Sequence, residues 1–154
     1  MPKPTLRIEN TNLIFRNFAG KESEFNKSGN RTTGVIIPPE MVPQLVEEGW
    51  SVKQLPPRDP QDQPLYYMNC KIRFDNFPPR IYLCTSTKKT KLDEEDVDQI
   101  DYSEISFVDI EISPYDYTTP MRSGRTAYIK TLYVNVIEDA FADKYAYGDV
   151  EDWY

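Results

Sequence analysis

From Tyr66 to Phe74 the chain alternates without a slip between core-forming and polar side chains. Tyr66, Met68, Cys70, Ile72 and Phe74 fall on one side, and Tyr67, Asn69, Lys71 and Arg73 on the other. A period of two is the signature of a half-buried β-strand. After the break Asp75-Asn76-Phe77-Pro78-Pro79 the alternation resumes, with Ile81 and Leu83 inward and Arg80 and Tyr82 outward. Paired as a hairpin, the two strands put Tyr67, Lys71, Arg73, Arg80 and Tyr82 on one exposed face. Rings interleaved with cations suit a single-stranded nucleic acid, because bases stack on rings while cations track phosphates. An ordinary solvated strand face carries the same residue types, and this stretch alone leaves both readings open.

The rest of the chain fits many short elements joined by turns, since its 154 residues include 13 Pro and 6 Gly. That length suits one ordinary domain with a real core. No apolar run reaches membrane-spanning length, and Met1-Pro2-Lys3-Pro4-Thr5 lacks the apolar segment of a signal peptide, so a cytoplasmic protein with no membrane partner is expected. The sequence has no histidine, which excludes histidine acid–base chemistry and Ser-His or Cys-His nucleophile pairs. Cys70 and Cys84 are the two cysteines and are expected to be free, buried thiols. Neither a structural metal nor a cofactor is expected.

A net charge of −7 argues at first against a polyanionic partner, but its distribution matters more than its sum. Residues 93–104 hold seven acids and no base, and residues 138–154 hold six acids and one lysine. The remainder has 17 bases and 12 acids, a mildly basic body with two acidic segments that read as detachable.

In chain order, residues 5–18 read as one long strand or two short ones. The run Asn26-Lys27-Ser28-Gly29-Asn30 is a turn leading into a strand over 31–37. Glu40 to Gly49 reads as a short helix with Met41, Leu45 and Val46 on its apolar face, and a brief strand from Trp50 to Leu55 follows. Thr85 to Lys91 is a basic loop with Lys88, Lys89 and Lys91, and a short helical or irregular connection covers 92–104. A strand over 106–113, a basic loop over 118–125 carrying Arg122 and Arg125, and a strand over 126–137 complete the body. On the last strand Tyr128 and Lys130 share a face; beyond Leu132 both faces turn apolar, as in a strand buried on both sides or bent by a bulge.

These elements suit a mainly β fold, a small antiparallel Greek-key barrel of the OB-fold type, over residues 1–137, with one short helix. OB-folds are five-stranded, partly open barrels that bind oligonucleotides on their central strands and two hairpin loops. The bases expected to meet phosphates are Lys71, Arg73, Arg80, Lys88, Lys89, Arg122, Arg125 and Lys130, with Tyr67, Tyr82 and Tyr128 or Phe77 stacking bases.

Several strings also resemble a family of phage- and prophage-encoded single-stranded-DNA-binding proteins. They are Ile14-Phe15-Arg16-Asn17-Phe18-Ala19-Gly20-Lys21, Pro79-Arg80-Ile81, Pro114-Tyr115-Asp116, Ser123-Gly124-Arg125 and Ala127-Tyr128-Ile129-Lys130-Thr131-Leu132-Tyr133-Val134. The resemblance runs from about residue 6 to residue 138. It implies an OB-like fold that coats single strands during phage replication or recombination, in the host cytoplasm.

Residues 138–154 are expected to form a disordered acidic tail, in which Asp149, Glu151, Asp152, Trp153 and Tyr154 compete with DNA for the basic groove or recruit replication or recombination proteins. A contrasting reading makes the chain an acidic interaction module or DNA mimic that docks a basic partner. An enzyme is the remaining reading; Asp109 and Glu111 share a strand face as nuclease metal ligands can, but any solvent-facing strand accommodates them equally, and no catalytic role is expected. The sequence leaves oligomeric state open.

Overall fold

The computed structural model describes residues 5–22, 29–57, 59, 61–75 and 78–137, and nine strands and short helical turns make up that body. They are β1 (Leu6–Thr11), β2 (Leu13–Asn17), β3 (Arg31–Ile37), β4 (Lys53–Leu55), β5 (Leu65–Ile72), β6 (Arg80–Cys84), β7 (Lys89–Leu92), β8 (Ile105–Thr118) and β9 (Ser123–Val136). The expected tail lies outside the described residues, as does Phe77.

One sheet runs in the order β1-β8-β9-β5-β3-β2. Its two ends are consecutive in the chain, parted at Asn12, where the backbone turns from β8 toward β3. Asn12 O accepts the Ile36 N–H at 3.0 Å, and the Thr11 hydroxyl donates to Ile36 O at 2.5 Å. No ladder joins β1 to β2, so the sheet wraps around its core without closing. Inward positions of every major strand fill that core, including Ile8, Leu13, Val35, Ile37, Met68, Cys70, Ile110, Ile112, Ile129 and Leu132, all buried. The mainly β, OB-like architecture is as expected, although β5 and β6 each run parallel to β9 while the other pairings are antiparallel.

Those parallel pairings replace the expected hairpin. β5 meets β9 at Cys70↔Ala127 and Lys71↔Tyr128, and β6 meets the same edge further on, from Arg80↔Thr131 to Cys84↔Asn135. β9 is 14 residues long, so its edge outlasts β5 and accepts β6 in the same direction. β6 then turns back into β7, a strand formed by the lysine-rich segment expected to be a loop. Residues 92–104 include the short helical connection expected, but the segment is not detachable. Val97 and Ile100 are buried in the 3-10 segment Val97–Tyr102, and Asp101 accepts the N–H groups of Phe18 at 2.7 Å and Ala19 at 3.1 Å. Arg16 donates to Ile100 O and Ser103 O at 2.6 and 2.7 Å. This acidic segment is docked structure, not a detachable strap.

The helix α1 (Val42–Glu47) follows a 3-10 turn and ends at Gly49, whose φ of 99° an L side chain resists. Leu45 is buried, but Val46 is 56% exposed, because position 46 lies about 100° around the helix from Leu45. Among the described residues no helix is long and apolar enough to cross a membrane.

The docking of the acidic segment is measurable. Ile100→Ala is expected to cost about 2–5 kcal/mol, read from the urea unfolding midpoint at unchanged slope. A segment resting loosely on the surface would leave the midpoint where it is.

Candidate nucleic-acid interface

The outward row of β5 is Tyr67, Asn69 and Lys71, and its neighbours extend it sideways. Lys53 pairs with Tyr67 from β4, Gly34 with Asn69 from β3, and Tyr128 with Lys71 from β9. Gly34 is a fixed requirement: a Cβ there would come within 2.9 Å of Ile14 Cγ1 and 3.4 Å of the Tyr67 ring. Bare backbone at this point lets Ile14 and the Tyr67 ring lie close over it.

Phe15 is the residue that sequence reasoning missed as a site. It lies in the stretch 5–18 expected only to form one or two strands, yet it is 60% exposed and its ring meets Tyr67 edge-on at 5.4 Å. Its φ is 50°, a left-handed conformation that costs an ordinary side chain about 1–2 kcal/mol. A register shift between Ile14 and Asn17 creates the kink, and the two Arg16 hydrogen bonds to the 3-10 segment hold its far side. A large apolar ring forced outward on strained backbone points to use of the ring.

A second wall comes from the β8–β9 ribbon. Among the described residues, no third strand flanks it beyond Ile112 on β8 or before Ala127 on β9. Tyr115, 60% exposed, meets Tyr128 edge-on at 6.3 Å. Tyr117 lies over Gly124, where a Cβ would clash with the ring, and the Arg122 guanidinium sits 5.9 Å from the Tyr117 centroid. Tyr115 and Tyr117 are not among the residues expected to stack bases; their shared side becomes visible only in the register.

The predicted cations divide. Lys71 is exposed beside Tyr128, with no carboxylate partner among the described residues. Arg73 is exposed and bonds Asp75 at 2.7 Å; that bond first, and one to Tyr128 second, raise the pKa of its guanidinium. Arg122 stands at the ribbon tip, and Lys88 in the exposed β6–β7 turn. Lys130 is the extra residue of a bulge in β9 and lies 3.8 Å from Glu111. Arg125 is on the other side of the sheet. It holds Asp116 with two bonds of 2.6 and 3.1 Å and packs 4.9 Å over the Trp50 ring, beside α1, so it braces the ribbon's base. Lys21, ahead of the expected turn, and Arg31, at the start of β3, are tied to Tyr102 and Glu94.

Tyr82 stands apart from Tyr67. β5 and β6 follow one another along β9, and the two tyrosines are about 25–30 Å apart at about 3.3 Å per residue, not side by side. Asp109 accepts the Asn10 N–H at 2.9 Å, and Glu111 accepts the Thr5 hydroxyl at 2.8 Å. Among the described residues no group of three or more metal-ligating side chains gathers. Cys70 and Cys84 are both free; burial raises both thiol pKa values.

A family model described as "Putative phage ssDNA-binding domain" matches residues 1–152. Among solved structures the fold is similar to that of the single-stranded DNA-binding protein from bacteriophage Enc34, with TM-score 0.57 and 10% identity over 97% of this chain and 89% of that one. The same phage protein in complex with ssDNA aligns with TM-score 0.58 and 8% identity over 88% of each chain. A search of curated proteins finds no match.

Phe15 gives a stability test separate from any ligand. Phe15→Gly is expected to keep the unfolding free energy, read from the urea midpoint at unchanged slope, within about 1 kcal/mol of the parent, since relief of the left-handed strain offsets the added chain freedom. A core phenylalanine would lose about 3–5 kcal/mol on truncation.

Proposed function

We propose that this protein, which belongs to the phage ssDNA-binding domain family, binds single-stranded DNA across the outer face of β3, β5 and β9, between Phe15 and the β8–β9 ribbon. The observation that carries the placement is the outward row of exposed Phe15 and Lys71 with half-buried Tyr67 and Tyr128, continued by Tyr115 and Tyr117. It crosses the central strands that OB-folds use for oligonucleotides, and the β8–β9 tip supplies one of the bounding loops. The Enc34 protein of the same fold has been captured with ssDNA, which agrees with this reading.

Every base has a π-face, so rings at these positions take any sequence. Lys53, Lys71, Arg73 and Arg122 meet phosphates. Arg73 releases Asp75 at little cost when it does so, because their ion pair is solvent-exposed. The role is to hold and protect single strands while phage DNA is copied or recombined in the host cytoplasm, by binding without catalysis. The acids of 138–154, with Trp153 and Tyr154 at the end, then compete with DNA for the groove or recruit replication proteins. Tail removal separates this from the interaction-module reading: a chain ending at Ile137 binds DNA equally or more tightly under the first and loses its activity under the second.

In a fluorescence titration with an unstructured oligonucleotide, Tyr67→Ala and Phe15→Ala are each expected to weaken binding by about 1–3 kcal/mol. With about four phosphates neutralised, log K should fall against log salt with a slope of about −3. Absence of binding at low salt by both the intact and the tail-less chain rejects the function. Binding that Tyr67→Ala and Phe15→Ala leave untouched moves the platform elsewhere.

A further inference from the structure

A second aromatic block lies on the same outer face, toward the C-terminal end of β9. Tyr82 and Tyr133 occupy paired positions on β6 and β9, with ring centroids 4.9 Å apart and planes 12° from parallel. The Lys89 ammonium lies 5.0 Å from the Tyr82 centroid and 5.8 Å from that of Tyr133. Lys91, opposite Tyr82 on β7, is exposed. The core is served by the alternate residues, Ile81, Leu132 and Val134, all fully buried, so the tyrosine pair is not needed to fill it.

Topology puts this block in line with the groove. β5 and β6 share one edge of β9, so Lys71 beside Tyr128, Arg80 beside Thr131 and Tyr82 beside Tyr133 succeed one another along a single strand. From Tyr128 to Tyr133 the separation is about 15 Å, allowing for the bulge at Lys130. Arg80, in the gap, is exposed and has no carboxylate partner among the described residues. The acids nearby are engaged, Glu111 by Thr5 and Lys130 and Asp109 by the Asn10 N–H.

Resting on the single-strand reading above, we infer that Tyr82, Tyr133 and Lys89 form a second stacking subsite for the same DNA strand, joined to the first by phosphates passing Arg80 and Lys130. A base adds to the preformed tyrosine stack, and Lys89 leaves its exposed ring contact for the accompanying phosphate. Affinity then depends on strand length: short oligonucleotides fill only the groove, and longer ones gain the second block by tethering.

The test uses anisotropy titrations of the full chain with oligothymidylates of about 4 and about 16 nucleotides, the ends of the range that single OB-folds cover. The parent is expected to bind the longer one more tightly. Tyr82→Ala with Lys89→Gln should cut affinity for the longer strand about five- to 100-fold and leave the shorter within about twofold. Lys89→Gln with Lys91→Gln, two exposed changes outside the core, should give a smaller loss, again on the longer strand alone. Tyr82→Phe should retain the parent's length dependence. Equal losses on both lengths, no loss on the longer strand, or a parent without length dependence each overturn the second subsite. If Tyr67→Ala weakens both lengths while Tyr82→Ala changes neither, this subsite alone fails. If the parent binds neither oligonucleotide, the single-strand reading itself fails.

Discussion

Strand β9 is the constraint on which the molecule depends. One edge is taken up by β8 through the long antiparallel ribbon, and the other is divided between β5 and β6. Its inward residues Ala127, Ile129, Leu132 and Val134 are buried, and the bulge at Lys130 keeps both halves facing the core although their spacing breaks the period of two. Because two parallel partners share that edge, their outward residues form one line in which Lys71 and Arg80 lie between Tyr67 and Tyr82. A hairpin between β5 and β6 would have folded that line back on itself.

The charge of the chain is organised by docking as much as by composition. Asp101 serves the backbone of Phe18 and Ala19, and Val97 and Ile100 bury the segment that carries it. The segment's residues hold Lys21 and Arg31, through Tyr102 and Glu94, so these two cations are engaged within the fold. On the sheet face, Lys71 and Arg80 are exposed and have no carboxylate partner among the described residues. An overall acidic protein thus keeps a local surface suited to a polyanion, and at short range the local surface decides, since exposed charges beyond about 10 Å are screened.

The same acidic segment also positions the aromatic surface. Arg16 reaches from β2 to its carbonyls, and the kink beside Arg16 turns Phe15 outward at a φ that costs stability. Gly34 and Gly124 give up side chains so that Tyr67 and Tyr117 can lie close to backbone. Strain and bare backbone fall together at the proposed groove, as expected where a surface is shaped for a ligand and stability is supplied elsewhere.

Sequence alone determined the strands with clean alternation: the inward and outward residues of β5 and β6, the strand over 31–37 after its turn, and the mainly β class. It did so because a pleated strand exposes alternate residues whatever its neighbours. It also picked out Tyr67, Lys71 and Tyr128, which an outward face presents in any topology. Partner choice was decided only in three dimensions. Long-range pairing set β5 and β6 in file along β9, placed Arg125 under Trp50 rather than beside Tyr128, and exposed Phe15 through a kink that no local propensity encodes. The stretch 66–84 therefore carries its faces in its own residues, while the distance between its two tyrosines belongs to β9.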